Sequence, residues 1–529
     1  MRHLSTTIPR LAAAALVLLM AAAPAQTLRW ATQGDPQTMD PHSQNESLTN
    51  QLNQQVYETL VDRDHKLALV PRLATEWQQL SPTQWRLKLR PNVKFHDGTP
   101  FTADDVVFSL ERANAPSSDL RVYASALGQA RRIDDLTVEF KLPQVDPIFL
   151  QHLTTIPIMS RAWCEKNRAT RPLDFKSKEE GYTAFHANGT GPYILVKREP
   201  DVRTTYRRNT AWWGSFEGNV QEVVYTPIKS DATRAAALIS GEVDFVLDPA
   251  PQDIPRLRAS PQLKVIEGPE NRVLFIGMDQ GRGELLYSSV KGANPFKDVR
   301  VRRALYQAID IQTLQRKLMR GQSVPTGAVM PSPLGVYGDP ELERRLPYDV
   351  AGAKRAIADA GYPNGFEVTL DCPNNRYIND EAICVALTAM WAQINVRVKV
   401  NAMPRALYFP KLQRLDTSMY LLGWGGSITD AETIFTPIYR SRGEGGVGSW
   451  NFGNARDAQV DELAAASSRE ADPAKREQLV KATVRRFNDQ VLAIPLHRQV
   501  VPWAARSNVS VVHRADNWLE WRWVSVGKR

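Results

Sequence analysis

The sequence is poor in cysteine and in motifs that carry catalytic chemistry. Its 529 residues include three Cys and eight His, and neither type is grouped at the spacing of a zinc site. It contains no GxSxG nucleophile elbow, no HExxH zinc helix and no GxxxxGK[ST] phosphate loop. The alternative that the chain is a secreted hydrolase would require a nucleophile next to a general base, and no motif in the sequence places such residues together. We therefore expect no catalytic residue, no metal site and no cofactor.

Long hydrophobic runs are also scarce. The one notable run covers residues 11–23, a length of about 13 residues. It follows the positive charges of Arg2 and Arg10, and a small-x-small pattern ends it. A membrane-spanning helix needs about 20 apolar residues, so the pattern predicts a secretory signal peptide over residues 1–25, cleaved before Gln26. Since no cysteine follows the cleavage site, we expect a periplasmic protein that is not a lipoprotein.

An excess of one charge is nearly absent. The chain carries 66 Lys and Arg against 57 Asp and Glu, which gives a formal net charge of +9. The basic residues are scattered among the acidic ones rather than clustered on one segment. This distribution favours a mildly basic surface and gives no reason to expect nucleic-acid binding.

The three cysteines allow one bridge. Cys372 ends a strand predicted to begin at Phe366, and Cys384 lies in the first turns of the following helix. The two could pair in an oxidising compartment, leaving Cys164 free. Spacing alone does not fix the bond, because the two Cα atoms must also lie within about 7 Å.

Helical and strand periodicities alternate along the chain. Residues 48–60 have helical apolar spacing, and Thr102 opens a second helix with acidic residues in its first turn. Ser230 caps a helix that Gly241 ends, and residues 243–247 then read as a strand. A similar unit runs from Asp349 through a helix into a further strand. This alternation predicts an α/β fold with sheets covered by helices.

A glycine-rich stretch over residues 188–193, Asn-Gly-Thr-Gly-Pro-Tyr, superficially resembles a nucleotide-binding loop. Pro192 directly follows the second glycine, and the stretch does not open a helix as a phosphate loop does. It therefore predicts a structural turn.

Taken in order, several segments resemble one family, the large dipeptide/oligopeptide/nickel class of ABC solute-binding proteins, known as solute-binding protein family 5. The resemblance extends from about Leu28 to the C-terminal end. The segments that carry it are residues 70–77, 85–90, 93–106, 188–193, 208–214, 240–244, 296–310, 361–366 and 494–496. The most characteristic of them is 93–106, Val-Lys-Phe-His-Asp-Gly-Thr-Pro-Phe-Thr-Ala-Asp-Asp-Val.

The resemblance implies a periplasmic-binding-protein-like α/β fold, with two jaws around a hinge and an additional inserted lobe, three lobes in all. It implies a chain that captures a peptide or another small-molecule ligand and delivers it to the membrane permease subunits of an ABC importer. We expect a monomer. The implied boundaries are a signal peptide at 1–25, lobe I at 26–61, 183–267 and 495–529, lobe II inserted at 62–182, and lobe III at 268–494.

The family's peptide binders hold the ligand main chain as an added β-strand. One contact loop follows an Asp-Pro near the N-terminus, which implies that Asn45, Glu46 and Ser47 bind ligand here. The other is a Gly-Trp segment in the third lobe, here Gly423, Trp424 and Gly425, although Trp424 could instead be a core aromatic residue.

One position departs from the peptide-binding pattern. Peptide-binding members place an aspartate three residues after this tryptophan, where it pairs with the ligand's α-ammonium group, and Ser427 stands there in this chain. Serine cannot compensate a buried positive charge. Asp430 and Glu432 lie nearby and could substitute. The departure predicts weak binding of free peptides and favours an anionic or neutral ligand, such as a metal chelate, a sugar or an anionic metabolite.

Overall fold

The computed structural model describes residues 26–330, 339–425 and 430–527. The segment predicted to be a signal peptide and Ser427 both lie outside these ranges. Within them, no helix has the length and apolar character needed to cross a membrane.

The strands, in chain order, have the following bounds: β1 (Thr27–Thr32), β2 (Val61–Arg63), β3 (Leu69–Pro71), β4 (Ala74–Ser81), β5 (Gln84–Leu89), β6 (Gln129–Asp134), β7 (Thr137–Lys141), β8 (Tyr193–Glu199), β9 (Arg203–Arg208), β10 (Glu222–Pro227), β11 (Phe245–Leu247), β12 (Leu263–Met278), β13 (Ser323–Pro325), β14 (Phe366–Pro373), β15 (Val396–Met403), β16 (Met419–Gly425), β17 (Ala493–Arg506), β18 (Val509–Ser510) and β19 (Ser525–Val526).

The helices have the following bounds: α1 (Ser47–Gln54), α2 (Ala103–Ala113), α3 (Arg121–Ala124), α4 (Phe149–His152), α5 (Arg161–Lys166), α6 (Asp231–Ser240), α7 (Ile254–Arg258), α8 (Val299–Gln307), α9 (Ile311–Thr313), α10 (Val350–Asp359), α11 (Asp380–Ala392), α12 (Arg405–Gln413), α13 (Glu432–Ile434), α14 (Ala458–Ser467) and α15 (Pro473–Asp489).

One large mixed sheet forms the backbone of the molecule. Its strand order is β15-β14-β16-β12-β17-β11-β1-β10-β9-β8, and β13 pairs with β17 at the side. The two longest strands, β12 and β17, run antiparallel across its middle and join its two halves. Their register shifts between Pro269 and Val273. Such an irregularity bends a strand, so Glu270, Asn271 and Arg272 mark the bend between the halves.

Separate hydrophobic cores cover this sheet and a smaller one. The half containing β1 and β8–β11, here called the first lobe, packs around Trp30, Tyr225 and Trp503. The half containing β14–β16, the third lobe, has apolar clusters on both faces of β12. A four-stranded sheet, β4-β5-β7-β6, has its own core and forms the inserted lobe. The lobe boundaries given above stay predictions.

Local capping determines several helix ends as the sequence predicts. The Thr102 amide donates to the Asp105 carboxylate over 2.9 Å at the start of α2. Ser230 caps α6, and Gly241 ends it with a φ of 81°, the left-handed conformation that glycine tolerates best. The strand that follows is shorter than predicted, because only Phe245–Leu247 pair with neighbouring strands.

The helix predicted over residues 48–60 was too long, since α1 ends at Gln54. Instead of continuing the helix, the carbonyls of Gln55 and Val56 accept hydrogen bonds from the amides of Tyr193 and Gly191, over 3.0 and 2.8 Å. A Cβ atom on Gly191 would lie 2.6 Å from the Val56 carbonyl oxygen. The glycine-rich stretch is thus a structural turn that packs backbone against backbone.

A disulfide joins Cys372 at the end of β14 to Cys384 in α11, and the two Cα atoms lie 6.5 Å apart. The bridge ties the sheet of the third lobe to the helix that covers it. Cys164 is a free, buried thiol, and burial raises its pKa to about 12. A thiol so far from ionisation is a structural residue rather than a nucleophile.

Candidate functional site

A cavity lies where the three lobes meet. It encloses about 1100 Å³ of space between atoms, part of it continuous with solvent. Asn45, Glu46 and Ser47 line it from the first lobe, and Gly423 to Gly425 line it from the third. These are six of the seven residues that the sequence predicts to bind ligand, and the structure places them around one space; the seventh, Ser427, lies outside the described residues. Their role in binding stays a prediction.

The loop of the first lobe is held rigidly from behind. Asp40 is fully buried, and Arg112 donates to it over 2.9 Å. Burial raises the pKa of Asp40, but the Arg112 guanidinium outweighs this and lowers it overall. Asn45 accepts from the Asn50 amide over 3.0 Å, and Ser47 accepts from the Trp518 indole over 3.0 Å. The loop therefore presents a preformed surface to the cavity.

Glu46 links the first lobe to the third. Its carboxylate caps α1 by accepting from the Thr49 amide over 3.1 Å, and it lies 2.7 Å from Arg376 Nε and 3.0 Å from Arg405 Nη1. Burial raises its pKa, whereas the two guanidiniums and helix-capping amides lower it, to about 2 overall. Glu46 is therefore a permanent anion, and its charge is already matched.

Further hydrogen bonds cross between the lobes around the cavity. The Gln413 amide of the third lobe donates to Asp119 of the inserted lobe over 2.8 Å, and the Ser125 hydroxyl donates to the Gly445 carbonyl over 2.8 Å. Gln33 of the first lobe donates to the Tyr377 carbonyl over 3.1 Å. Together with Glu46, these contacts hold the jaws in a closed arrangement.

The Gly-Trp-Gly segment lies on β16, antiparallel to β12, with Gly425 opposite Arg272. A Cβ atom on Gly425 would lie 1.7 Å from the Asn271 carbonyl oxygen, so close strand packing requires glycine there. The Trp424 indole donates to the Thr433 carbonyl over 2.7 Å, and its ring packs edge-on against Trp450, 5.3 Å between centroids. Trp424 is thus both a core aromatic residue and part of the cavity wall.

The wall residues that the sequence did not predict include Arg272, Arg376 and Tyr377. The Gly423 amide donates to the Tyr377 hydroxyl over 2.8 Å. That backbone amide, which an added peptide strand would use, is therefore already bonded. No motif marks these residues, because β12 and the loop after β14 meet only through the folded sheet.

The two carboxylates proposed as substitutes at Ser427 do not face the cavity. Asp430 is paired with Arg476 through contacts of 2.6 and 2.7 Å. Glu432 lines a different cleft, where burial raises its pKa to about 7. Among the described residues on the main cavity's wall, Glu46 is the one carboxylate.

Apart from Glu46, Arg272 and Arg376, the polar side chains described on the cavity wall are neutral. Buried side-chain atoms without a hydrogen-bond partner in the described ranges include the Tyr57 hydroxyl, Asn53 Oδ1 and Gln54 Oε1. Burial raises the pKa of Tyr57 well above its ordinary value, so this hydroxyl stays neutral. Unpaired buried polar atoms are costly, and a bound solute with hydroxyl or amide groups would satisfy them.

The site lacks the parts of a hydrolase or metal centre, as far as the described ranges extend. No histidine is on the cavity wall there, and Ser47 has an indole rather than a base beside its hydroxyl. No group of three or more His, Cys, Asp or Glu side chains in those ranges is arranged to hold a metal ion. The arrangement can enclose a solute but brings no nucleophile and base together.

Comparison with known proteins places the chain in a family. The model of the bacterial extracellular solute-binding proteins, family 5 Middle, matches residues 68–446. A curated relative, the glutathione-binding protein GsiB of Shigella flexneri serotype 5b (strain 8401), is 26% identical over 462 residues, 84% of each chain.

Two solved structures have the same fold. The periplasmic binding protein DppA from Helicobacter pylori, in complex with peptide STSA, superposes with a TM-score of 0.84 at 21% identity, over 95% of this chain and 98% of that one. The binding protein AgaA from A. tumefacien R10, in complex with agropinic acid, gives 0.83 at 22% identity, over 95% and 99%. The lobed α/β fold predicted from the sequence is confirmed.

Proposed function

Since the chain belongs to family 5 of the bacterial extracellular solute-binding proteins, we propose that it is the extracytoplasmic solute-binding component of an ABC importer. It captures a small solute between the first and third lobes and delivers it to the membrane permease subunits. Its relatives are binding proteins, and the chain acts by binding rather than by catalysis.

The observation that carries this proposal is the enclosed cavity between the lobes. Its walls come from segments far apart in sequence, which meet only when the jaws are together. The bend in β12 and β17 gives the halves of the large sheet a place to pivot. Ligand contacts that form only in the closed arrangement shift the hinge equilibrium towards it.

The chain works in the periplasm as a monomer. Residues 1–25 act as a signal peptide, removed before Gln26, and no lipid is attached. The apolar run after two arginines and the small-x-small ending support this placement. Intact mass measurement of the protein recovered from the periplasm tests it, because cleavage leaves a chain that starts at Gln26 with no added lipid mass.

The ligand is a peptide or another small solute. The similar proteins are named for different ligands: glutathione, the peptide STSA and agropinic acid. One fold therefore serves several chemistries, and the wall residues decide between them.

Small-angle scattering of the chain purified from the periplasm, with and without bound solute, tests the function. Bound solute should reduce the radius of gyration, and the liganded protein should stimulate ATP hydrolysis by the cognate permease in lipid discs. A matched pair of variants keeps the test local: Trp424→Ala removes a wall ring, whereas Tyr348→Ala removes an exposed ring elsewhere. If neither compaction nor stimulation follows for any solute, the proposal is wrong.

A further inference from the structure

Two arginines on the cavity wall, the buried Arg272 and the partly exposed Arg376, have terminal nitrogens without a hydrogen-bond partner among the described residues. Both Arg272 and Arg376 line it, with side chains 4% and 11% exposed. Arg272 Nε donates to Glu270 over 2.7 Å, and Arg376 Nε lies beside Glu46. Within the described ranges, no hydrogen bond is formed by the terminal nitrogens of either guanidinium. A guanidinium presents such donors in a fork that fits a carboxylate.

On the main cavity's wall, the described charged residues are two guanidiniums, Arg272 and Arg376, and one carboxylate, Glu46. Arg272, Arg376 and Arg405 lie beside two carboxylates, Glu46 and Glu270. The next carboxylate, Asp248, lies in a smaller adjoining cleft, where it accepts from the Asn517 amide over 2.9 Å. Burial raises the pKa of Asp248 to about 6, so this carboxylate, which lines the adjoining cleft and not the main cavity, loses its charge only as the pH falls through about 6.

Among the described residues of the same wall, an ammonium group would find no unmatched carboxylate. Glu46 is matched by two guanidiniums. The undescribed residues beside Gly425 read Gly-Ser-Ile-Thr, and residues 331–338 read Pro-Ser-Pro-Leu-Gly-Val-Tyr-Gly, so neither stretch contains an acidic side chain. Burying an ammonium group without a counter-charge costs on the order of several kcal/mol.

We propose that the ligand is a small carboxylate without an ammonium group, whose carboxylate binds between Arg272 and Arg376. Its other polar groups are hydroxyls or amides, which reach Tyr57, Asn53 and Gln54. The ligand does not extend β16 as a strand, because the Gly423 amide is bonded to Tyr377. This inference rests on the proposed function, since it names the solute that the same cavity takes.

The first experiment compares four probe classes by thermal shift and calorimetry with the chain purified from the periplasm and freed of bound solute. The classes are carboxylates without ammonium (D-gluconate, N-acetyl-L-glutamate, L-pyroglutamate), free amino acids and peptides including glutathione, neutral sugars, and polyamines. We expect the tightest binding in the first class. If free peptides, sugars or polyamines bind most tightly, the inference is overturned while the proposed function stands. If no class binds, the proposed function fails and the inference fails with it.

The second experiment tests whether the Arg272 guanidinium binds the ligand's carboxylate. The tightest carboxylate and its primary amide are each measured on the unmutated chain and on Arg272→Gln. Loss of a charge-assisted contact should weaken carboxylate binding about tenfold or more, whereas the amide should bind both proteins equally weakly. The double variant Arg272→Gln with Glu270→Gln keeps the local charge balanced and should show the same loss.

The matched control is Arg300→Gln, which removes an exposed arginine paired with Asp298 on a distant helix. It should leave both affinities unchanged. If Arg272→Gln weakens the acid and its amide by the same factor, the arginine only supports the wall and the inference is wrong. Unchanged binding of the carboxylate by the double variant also overturns it.

Discussion

The pairing of Glu46 with Arg376 and Arg405 predicts that this carboxylate controls closure of the jaws. The substitution Glu46→Gln removes the negative charge that lies between the two guanidiniums and keeps the shape of the side chain. In the closed arrangement the arginines would then face each other, buried and uncompensated. In an open arrangement water would solvate them, so the substitution should favour opening.

The magnitude follows from the carboxylate's proton affinity. Its pKa is lowered from 4.5 to about 2, which corresponds to about 3 kcal/mol, or about two powers of ten. Part of this lowering comes from the α1 amides of Thr49 and Leu48, which remain in the open arrangement, so the figure is an upper limit for the change in the closed-to-open ratio. Breaking a buried ion pair by removing one partner gives a similar figure, about 3–5 kcal/mol. The side chain is 1% exposed, so solvent screening does not reduce this effect.

Scattering without ligand and calorimetry with it measure the shift. The variant should have a larger radius of gyration, and its apparent affinity should fall by up to the same factor, because only the closed fraction binds. Glu165→Gln is the control, since Glu165 forms an exposed pair with Arg161 on one helix. If Glu46→Gln scatters like the unmutated chain and binds its ligand within about threefold, the closure argument is refuted.

Acid should reproduce the effect in the unmutated chain. Because the closed arrangement lowers the pKa of Glu46, its stabilisation is complete above about pH 4.5 and is lost as the pH falls towards 2. Scattering across this range should show opening that the Glu46→Gln variant lacks. Identical pH profiles for the two proteins would contradict the assignment.

Replacing Cys372 and Cys384 with serine should lower the free energy of unfolding by about 3 kcal/mol, because the bridge restricts the unfolded chain by closing a loop. Urea unfolding checks this, and equal midpoints would argue against it. Gly425→Ala should cost about 1–3 kcal/mol through backbone crowding, whereas Gly283→Ala, with no neighbour near its Cβ position, should be tolerated; thermal unfolding compares them, and equal losses would contradict the packing argument. Ser427→Asp should improve binding of free di- and tripeptides relative to the native ligand, measured by calorimetry on a small peptide library; tight binding by the unmutated chain would disprove this.

Local features of the fold were predictable from the sequence. Thr102 and Ser230 cap helices because a short polar side chain before an apolar run bonds free amides within a few residues. The end of α1 was not predictable in this way. The carbonyls of Gln55 and Val56, directly after its last residue, accept hydrogen bonds from Tyr193 and Gly191, which are distant in sequence.

The same contrast applies to the site. The family resemblance identified the segments around Glu46 and Trp424, since their order along the chain is characteristic. It did not identify Arg272 or Arg376, because their chemistry comes from the bend in β12 and from contact between lobes. The sequence also could not show that Asp430 is unable to serve as the substitute carboxylate, because its partner Arg476 lies in a helix 46 positions away.

The position of β17 in the large sheet has a consequence for synthesis. This strand lies between β12 and β11, two positions from β1 in the sheet, yet it belongs to the C-terminal end of the chain. A nascent chain therefore cannot complete its first lobe until translation is nearly finished, although its N-terminal strands emerge first. Pairing between such distant segments is slow. A fragment that stops before Ala493 would leave β11 and β12 as open sheet edges, which favour aggregation.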